Sequence, residues 1–146
     1  MSGFEQPPGS LYGKRDVTEL ITTQKLGAHS SLAVEADYGR DRVSGSLVSW
    51  KGIAIYGKYF LCSKSSLAIR GEAYHYPQGY TTGVVFHNPT FKELTVTCQY
   101  DPLSFMIHRL DFRDDFANGP ALVGPNSDAA TRSSQPTLLL SAVVTF

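Results

Sequence analysis

The sequence predicts an all-β protein, an antiparallel up-and-down meander of about seven strands forming a partial transmembrane β-barrel. Three observations carry this. Apolar residues recur with a period of two. Short and long connections alternate between the recurring segments. The chain also finishes on an apolar strand closed by Phe146.

The alternation is clearest in three places. In Ser31–Tyr38, Leu32, Val34, Ala36 and Tyr38 share one face, and Ala33, Glu35 and Asp37 the other. In Leu67–Tyr76, Leu67, Ile69, Gly71 and Ala73 lie opposite Arg70, Glu72, Tyr74 and Tyr76. In Glu93–Asp101, Leu94, Val96, Cys98 and Tyr100 lie opposite Glu93, Thr95, Thr97 and Gln99. Strict alternation is the mark of a half-buried strand. A helix would scatter the same residues around its axis.

The strands are expected at Asp16–Leu26, Ser31–Gly39, Leu47–Leu61, Ser66–Tyr76, Phe91–Asp101, Leu103–Arg113 and Pro136–Phe146. The first is Thr-rich and the weakest. The third carries Gly52 and Gly57, where a bend or bulge is expected. Several run about ten residues, longer than the usual five or six and near the length a tilted strand needs to cross a bilayer.

The connections Gly27–Ser30, Cys62–Ser65 and Pro102 are short. Arg40–Ser46, Pro77–Thr90 and Asp114–Gln135 are longer and rich in Gly, Pro, Asn and Asp. In a meander, alternate connections lie at the same end, so one end has tight turns and the other long loops. Outer-membrane barrels show this asymmetry. The last loop is expected to lie outside, with infolding into the lumen as the rival arrangement.

In the last strand, Leu138, Leu140, Ala142, Val144 and Phe146 share a face. A bare apolar edge strand is an aggregation hazard in water. In a membrane the same face meets lipid and the terminal aromatic sits at the interface. With that face assigned to lipid, the expected interface aromatics are Tyr59, Tyr100 and Phe146 at the turn end, and Tyr38 and Phe112 at the loop end. The expected pore-lining residues are Glu35, Asp37, Lys58, Arg70 and Glu72, continued by Tyr74, Arg109, Asp111 and Arg113. An aqueous lumen tolerates such groups, whereas a dry core would need them paired. The alternating charges serve either as a ladder biasing solute passage or as an internal salt-bridge network. His108 has lipid-facing parity between Met106 and Leu110, a misfit for mid-membrane placement.

Composition narrows the function. The 146 residues suit one domain at most, and 13 Lys+Arg balance 13 Asp+Glu. That balance argues against a general nucleic-acid binder. No apolar run of about 18 residues could form a membrane helix, and Met1–Lys14 lacks the pattern of a signal peptide. Cys62 and Cys98 are too far apart to form a CxxC site. Cys62 falls in a turn and Cys98 mid-strand on the lipid face, as a small hydrophobe. His29, His75, His87 and His108 lack metal-ligand spacing. Gly52–Lys58 imitates a phosphate loop but alternates as a strand, with Tyr59 where Ser or Thr is needed. No metal, cofactor or catalytic constellation is expected.

Three segments resemble the OmpL-like β-barrel porin family of bacterial outer membranes. Leu67–Tyr74 with Tyr76–Gly79 is similar to that family's Arg-Gly-Glu-aromatic strand and following Pro-x-Gly turn. Glu93–Arg113 is similar to its hairpin leading into an Arg-x-Glu-x-Arg-x-Asp strand, with Asp111 standing where Glu is more usual. The last strand, ending in Phe146, is the third. The resemblance spans about Asp16 to Phe146 and implies the C-terminal part of a longer barrel with a passive porin role.

Strand parity points the same way. With Phe146 at the periplasmic side, counting back seven strands puts residues 1–15 outside the cell, as a loop or linker remnant. Bacterial single-chain barrels have an even number of strands, eight or more. Residues 16–146 are therefore expected to be the C-terminal portion of an outer-membrane barrel passing small hydrophilic solutes. The expected partners are outer-membrane lipid, the solutes, and the barrel-insertion machinery acting through the strand that ends in Phe146. Room is left for a homo-oligomer, and nucleic acid is not expected as a partner. The rival readings are a soluble lipocalin-like barrel holding a small apolar ligand and an outer-membrane barrel hydrolase.

Overall fold

The computed structural model describes residues 2–3, 15–43, 46–77, 88–123 and 129–145. It contains seven long strands: β1 (Arg15–Leu26), β2 (Ser30–Val43), β3 (Ser46–Cys62), β4 (Ser65–His75), β5 (Thr90–Leu103), β6 (Met106–Ala117) and β7 (Ser134–Val144). Each pairs antiparallel with the next, so the sheet is a meander. Ser2–Gly3 extends the outer edge of β1 beside Arg15 and Asp16. Leu122–Val123 and Ala130–Arg132 form a separate two-stranded ribbon. Among the described residues, no pairing joins β1 to β7.

The period-two pattern produces two unlike faces because every ladder pair points its side chains the same way. On one face Arg70 lies in line with Tyr56, Thr95 and Arg113. On the other, Ile69 lies in line with Gly57, Val96 and Phe112. The charged face is concave: residues from β2 to β7 line one cavity of about 890 Å³ on it. The convex face carries exposed Leu32, Ile53, Ile55, Ile69, Leu110 and Leu140. The fold thus turns its apolar side chains outward. Its only buried hydrophobics are Val48, Ala54 and Tyr76, among the described residues.

Several boundaries differ from expectation. Arg40–Ser46 is not a long loop. β2 continues to Val43, which pairs with Ser46. Asp41, within the expected loop, is buried and accepts hydrogen bonds from the Arg15 guanidinium at 3.0 and 3.1 Å. That partner lies 26 residues earlier, on β1. The strict alternation of short and long connections therefore fails at its first long member. The other two persist between β4 and β5 and between β6 and β7.

Pro102 is not a turn. It sits inside β5, in a register shift between Tyr100 and Leu103, and the turn falls at Ser104–Phe105. A bulge accommodates the missing proline N–H. Gly52 and Gly57 leave the β2–β3 ladder unbroken, and the irregularity in β3 lies instead between Phe60 and Cys62, beside the turn. The Thr-rich first strand is fully formed over 12 residues.

At the loop end a side-chain cluster stiffens the concave face. The Trp50 indole lies across Gly39, and a Cβ there would meet Trp50 Cε2 at 2.0 Å, so only glycine fits. The Arg15 guanidinium stacks 5.6 Å over Trp50, and buried Tyr76 meets the indole edge-on at 6.1 Å. Asn118 ties two connections together: it accepts from Thr90 N at 2.9 Å and donates to Asn88 O at 3.1 Å.

Candidate functional site

The concave face is the candidate site. All nine expected pore-lining residues lie on it. Lys58 and Asp111 share the rows of Ala68 and Thr97, Glu35 and Glu72 the row of Ala54, and Asp37 and Tyr74 that of Gly52. Arg109 lies opposite Gln99, nearer the turn end.

Their centre is a residue that sequence reasoning left off the pore-lining set, Glu93. It is 8% exposed and binds two guanidiniums, Arg70 at 3.0 Å and Arg113 at 3.1 Å. Thr95 Oγ1 donates to it at 2.7 Å. Each arginine has a second carboxylate, Arg70 in Glu72 and Arg113 in Asp115 at 2.7 Å. Alternation had already put Glu93 on the face of Thr95 and Thr97. Its bridging role comes from the register of β4 and β6, which a single strand pattern does not contain.

Other members are committed more loosely. Tyr56 donates from its hydroxyl to Glu35 Oε2 at 2.9 Å, with Arg70 stacked 5.5 Å from its ring. Thr97 Oγ1 donates to Asp111. Arg109 is exposed and donates to Gln99 Oε1 at 3.1 Å, with no carboxylate partner among the described residues. Lys58 Nζ lies 4.9 Å from the Phe60 ring. At the β1 side, Glu19, Glu35 and Asp37 bring carboxylate oxygens within 4.8 Å of one another. The cross-strand pair Glu19 and Asp37 depends on the β1–β2 register, so Glu19 also escaped sequence reading. The concave face thus has an acidic side on β1–β2 and a mixed, internally paired side on β4–β6.

The expected interface aromatics divide. Tyr38, Tyr59, Tyr100 and Phe112 are all exposed on the convex face. Phe112 sits mid-strand beside Val96 and Leu138 rather than at the loop end, and Phe116 is the outward aromatic nearer the loops. Phe146 lies outside the described residues. His108 loses its misfit: with the turn moved to Ser104–Phe105, it pairs with Tyr100 near the turn end. His87 lies outside the described residues, and the other three histidines are dispersed. His29 is in the first turn, while His75 and His108 are at opposite ends of the convex face. Cys62 and Cys98 are free and exposed, and Cys98 lies between Leu67 and Leu110 on the convex face.

The last loop reaches the mouth of the concave face. Leu122 of its ribbon borders a smaller cavity of about 330 Å³ with Glu72, Tyr74, Phe91 and Arg113. Part of this loop therefore leans over the site.

A curved antiparallel meander with most of its charges inside and its outer face apolar between the two ends is the inverse of a soluble barrel. It has the polarity of a membrane barrel. A soluble barrel built to hold an apolar ligand would have to turn its apolar faces inward, and this sheet turns them outward. The chain belongs to the family described as putative beta-barrel porin-2, OmpL-like, whose family model matches residues 1–146. No curated protein matches, and no solved structure does.

Proposed function

We propose that the chain is part of an outer-membrane porin passing small hydrophilic solutes by passive diffusion, without enzymatic chemistry. The seven-strand meander, Arg15–Val144, supplies part of its barrel wall. The observation that carries this reading is the 890 Å³ cavity on the charged face, backed by an apolar outer face. A solute crossing it meets hydroxyls, carboxylates and guanidiniums that replace part of its hydration. The outer face supplies anchoring in lipid.

Closure follows from the edges. β7 has no neighbour beyond it among the described residues, and β1 has only Ser2–Gly3. Unpaired strand edges do not persist in hydrocarbon. Seven strands leave β1 and β7 running in the same direction, so antiparallel closure takes an odd number of further strands.

The salt-bridge ladder and the solute path are compatible. Arg70, Glu72, Glu93 and Arg113 neutralise one another and stiffen the wall, whereas Arg109 is left to act on passing ions. A unit charge about 8 Å from an ion in water is worth about 0.5 kcal/mol. The charge repels cations and attracts anions by that amount, so Arg109→Ala in the assembled barrel should shift the cation-to-anion permeability ratio toward cations by roughly fivefold at low salt, and by less as salt screens it. Reversal potentials across a planar bilayer read this directly. An unchanged ratio assigns Arg109 to structure alone, and the absence of any conductance in the unsubstituted protein removes the porin reading.

A further inference from the structure

We propose that the loop end of the convex face carries a binding site for the anionic, phosphate-bearing headgroup of a membrane lipid, built on Lys51 and Lys92. The inference rests on the reading of the convex face as the lipid face.

Charge on that face is confined to one end. At the turn end its outward residues are Leu26, Tyr59, Leu61, Leu67, Tyr100 and His108, none of them a carboxylate, lysine or arginine. At the loop end stand Arg40, Arg42, Lys51 and Lys92, against Asp16 and Asp114. Arg40 is paired with Asp16 at 3.3 Å. Lys51 and Lys92 are exposed and have no hydrogen-bond or ion-pair partner among the described residues.

Their height suits a headgroup. From Lys51 to Leu61 the outward residues are Ile53, Ile55, Gly57 and Tyr59, without charge. Ten residues span about 33 Å along a strand. At the tilt of a membrane barrel this gives about 25 Å across the bilayer, the height of its apolar band. Lys92 likewise stands beyond Leu94, Val96, Cys98 and Tyr100. Lys51 therefore falls where acyl chains end and phosphates begin; Lys92, in the row of Ile53, lies two residues further in, and its long stem can carry the ammonium out to the same level. Tyr38 lies beside Lys51 in the ladder, at the level of an aromatic girdle.

Lateral placement is also suitable. Lys51 pairs with His75 on β4, and Lys92 lies on β5, two residues from Thr90, the other partner of His75. The two lysines flank His75, two strands apart and offset by two residues, about 12 Å between their backbone positions. Flexible lysine stems can bring both charges onto one phosphodiester. His75 Nδ1 is engaged with Thr90 Oγ1 at 2.8 Å, which fixes the ring between them. Acyl chains would then lie along Ile53, Ile55 and Leu94, which border a shallow apolar groove that Lys92 also lines.

The test is native mass spectrometry of the full chain in detergent, titrated with phosphatidylglycerol or with phosphatidylcholine of the same chain length. The native protein should prefer phosphatidylglycerol. Lys51→Gln combined with Lys92→Gln should weaken its binding about 25-fold, about fivefold for each lysine. Lys64→Gln, in a turn at the opposite end, should leave the preference intact. Inorganic phosphate at millimolar concentration should not displace the lipid, because the groove contributes to binding; displacement would assign the site to free phosphate and overturn the lipid headgroup. Equal affinity for the two lipids, or a double variant that retains the preference with its sheet signal intact, overturns the site but leaves the lipid face standing. A chain that stays soluble once detergent is removed overturns the lipid face and this inference together.

Discussion

Ile69→Arg is expected to destabilise the bilayer-inserted protein by about 2–4 kcal/mol, whereas Ala68→Arg, one residue earlier, should cost about 0–1 kcal/mol. The two positions are neighbours on β4 and face opposite ways. Ile69 is 52% exposed on the convex face, in line with Gly57, Val96 and Phe112. A guanidinium there would stand in hydrocarbon with no acceptor in its row. Ala68 borders the 890 Å³ cavity, which has room for the longer side chain, and Asp111 stands in its row. Urea titration of the protein refolded into vesicles measures both costs. Equal penalties, or a larger one at Ala68, would make the apolar face something other than the lipid face.

Glu93→Ala should be the most damaging truncation on the concave face, at about 1–3 kcal/mol. Removing one partner of a fully buried ion pair costs about 3–5 kcal/mol because the other charge is left uncompensated. Glu93 is buried, but Arg70 and Arg113 are 34% and 47% exposed, and each keeps a second carboxylate. The expected loss is therefore discounted for solvent screening. The same titration reads it, and a double cycle with Arg113→Ala isolates the shared part, because the two side chains touch. A loss below about 0.5 kcal/mol would mean that the network adds nothing to stability and that the wall is held by its backbone ladder alone.

The division of the chain into faces was legible because a strand's side-chain period is fixed by its own geometry. Leu94, Val96 and Cys98 had to oppose Glu93, Thr95 and Thr97 wherever the strand lay. What escaped depends on partners distant in sequence. Glu93 becomes central only when β4 and β6 bring Arg70 and Arg113 to it. Asp41 reads as part of a loop until Arg15 is found beside it. Pro102 was misplaced because proline ordinarily ends a strand, and here a bulge absorbs it. Two residues of difference in that turn moved His108 from an apparent mid-membrane position to the level of Tyr100. The seven-strand meander was visible in the alternation, whereas the ribbon inside the last loop, Leu122–Val123 with Ala130–Arg132, carries no such pattern.

The central claim is that the convex face lies against lipid, and the two native thiols test it without any added label site. Both are free and exposed on the protein surface. Only Cys98, between Leu67 and Leu110, lies within the apolar band, while Cys62 ends β3 at a turn. Cys62→Ser and Cys98→Ser variants each leave one thiol, and lipid nanodiscs open both membrane surfaces to a membrane-impermeant maleimide. Cys62 should react at once, and Cys98 only after denaturant unfolds the sheet and takes it out of the bilayer. Equal labelling of Cys98 and Cys62 in intact nanodiscs would contradict that claim.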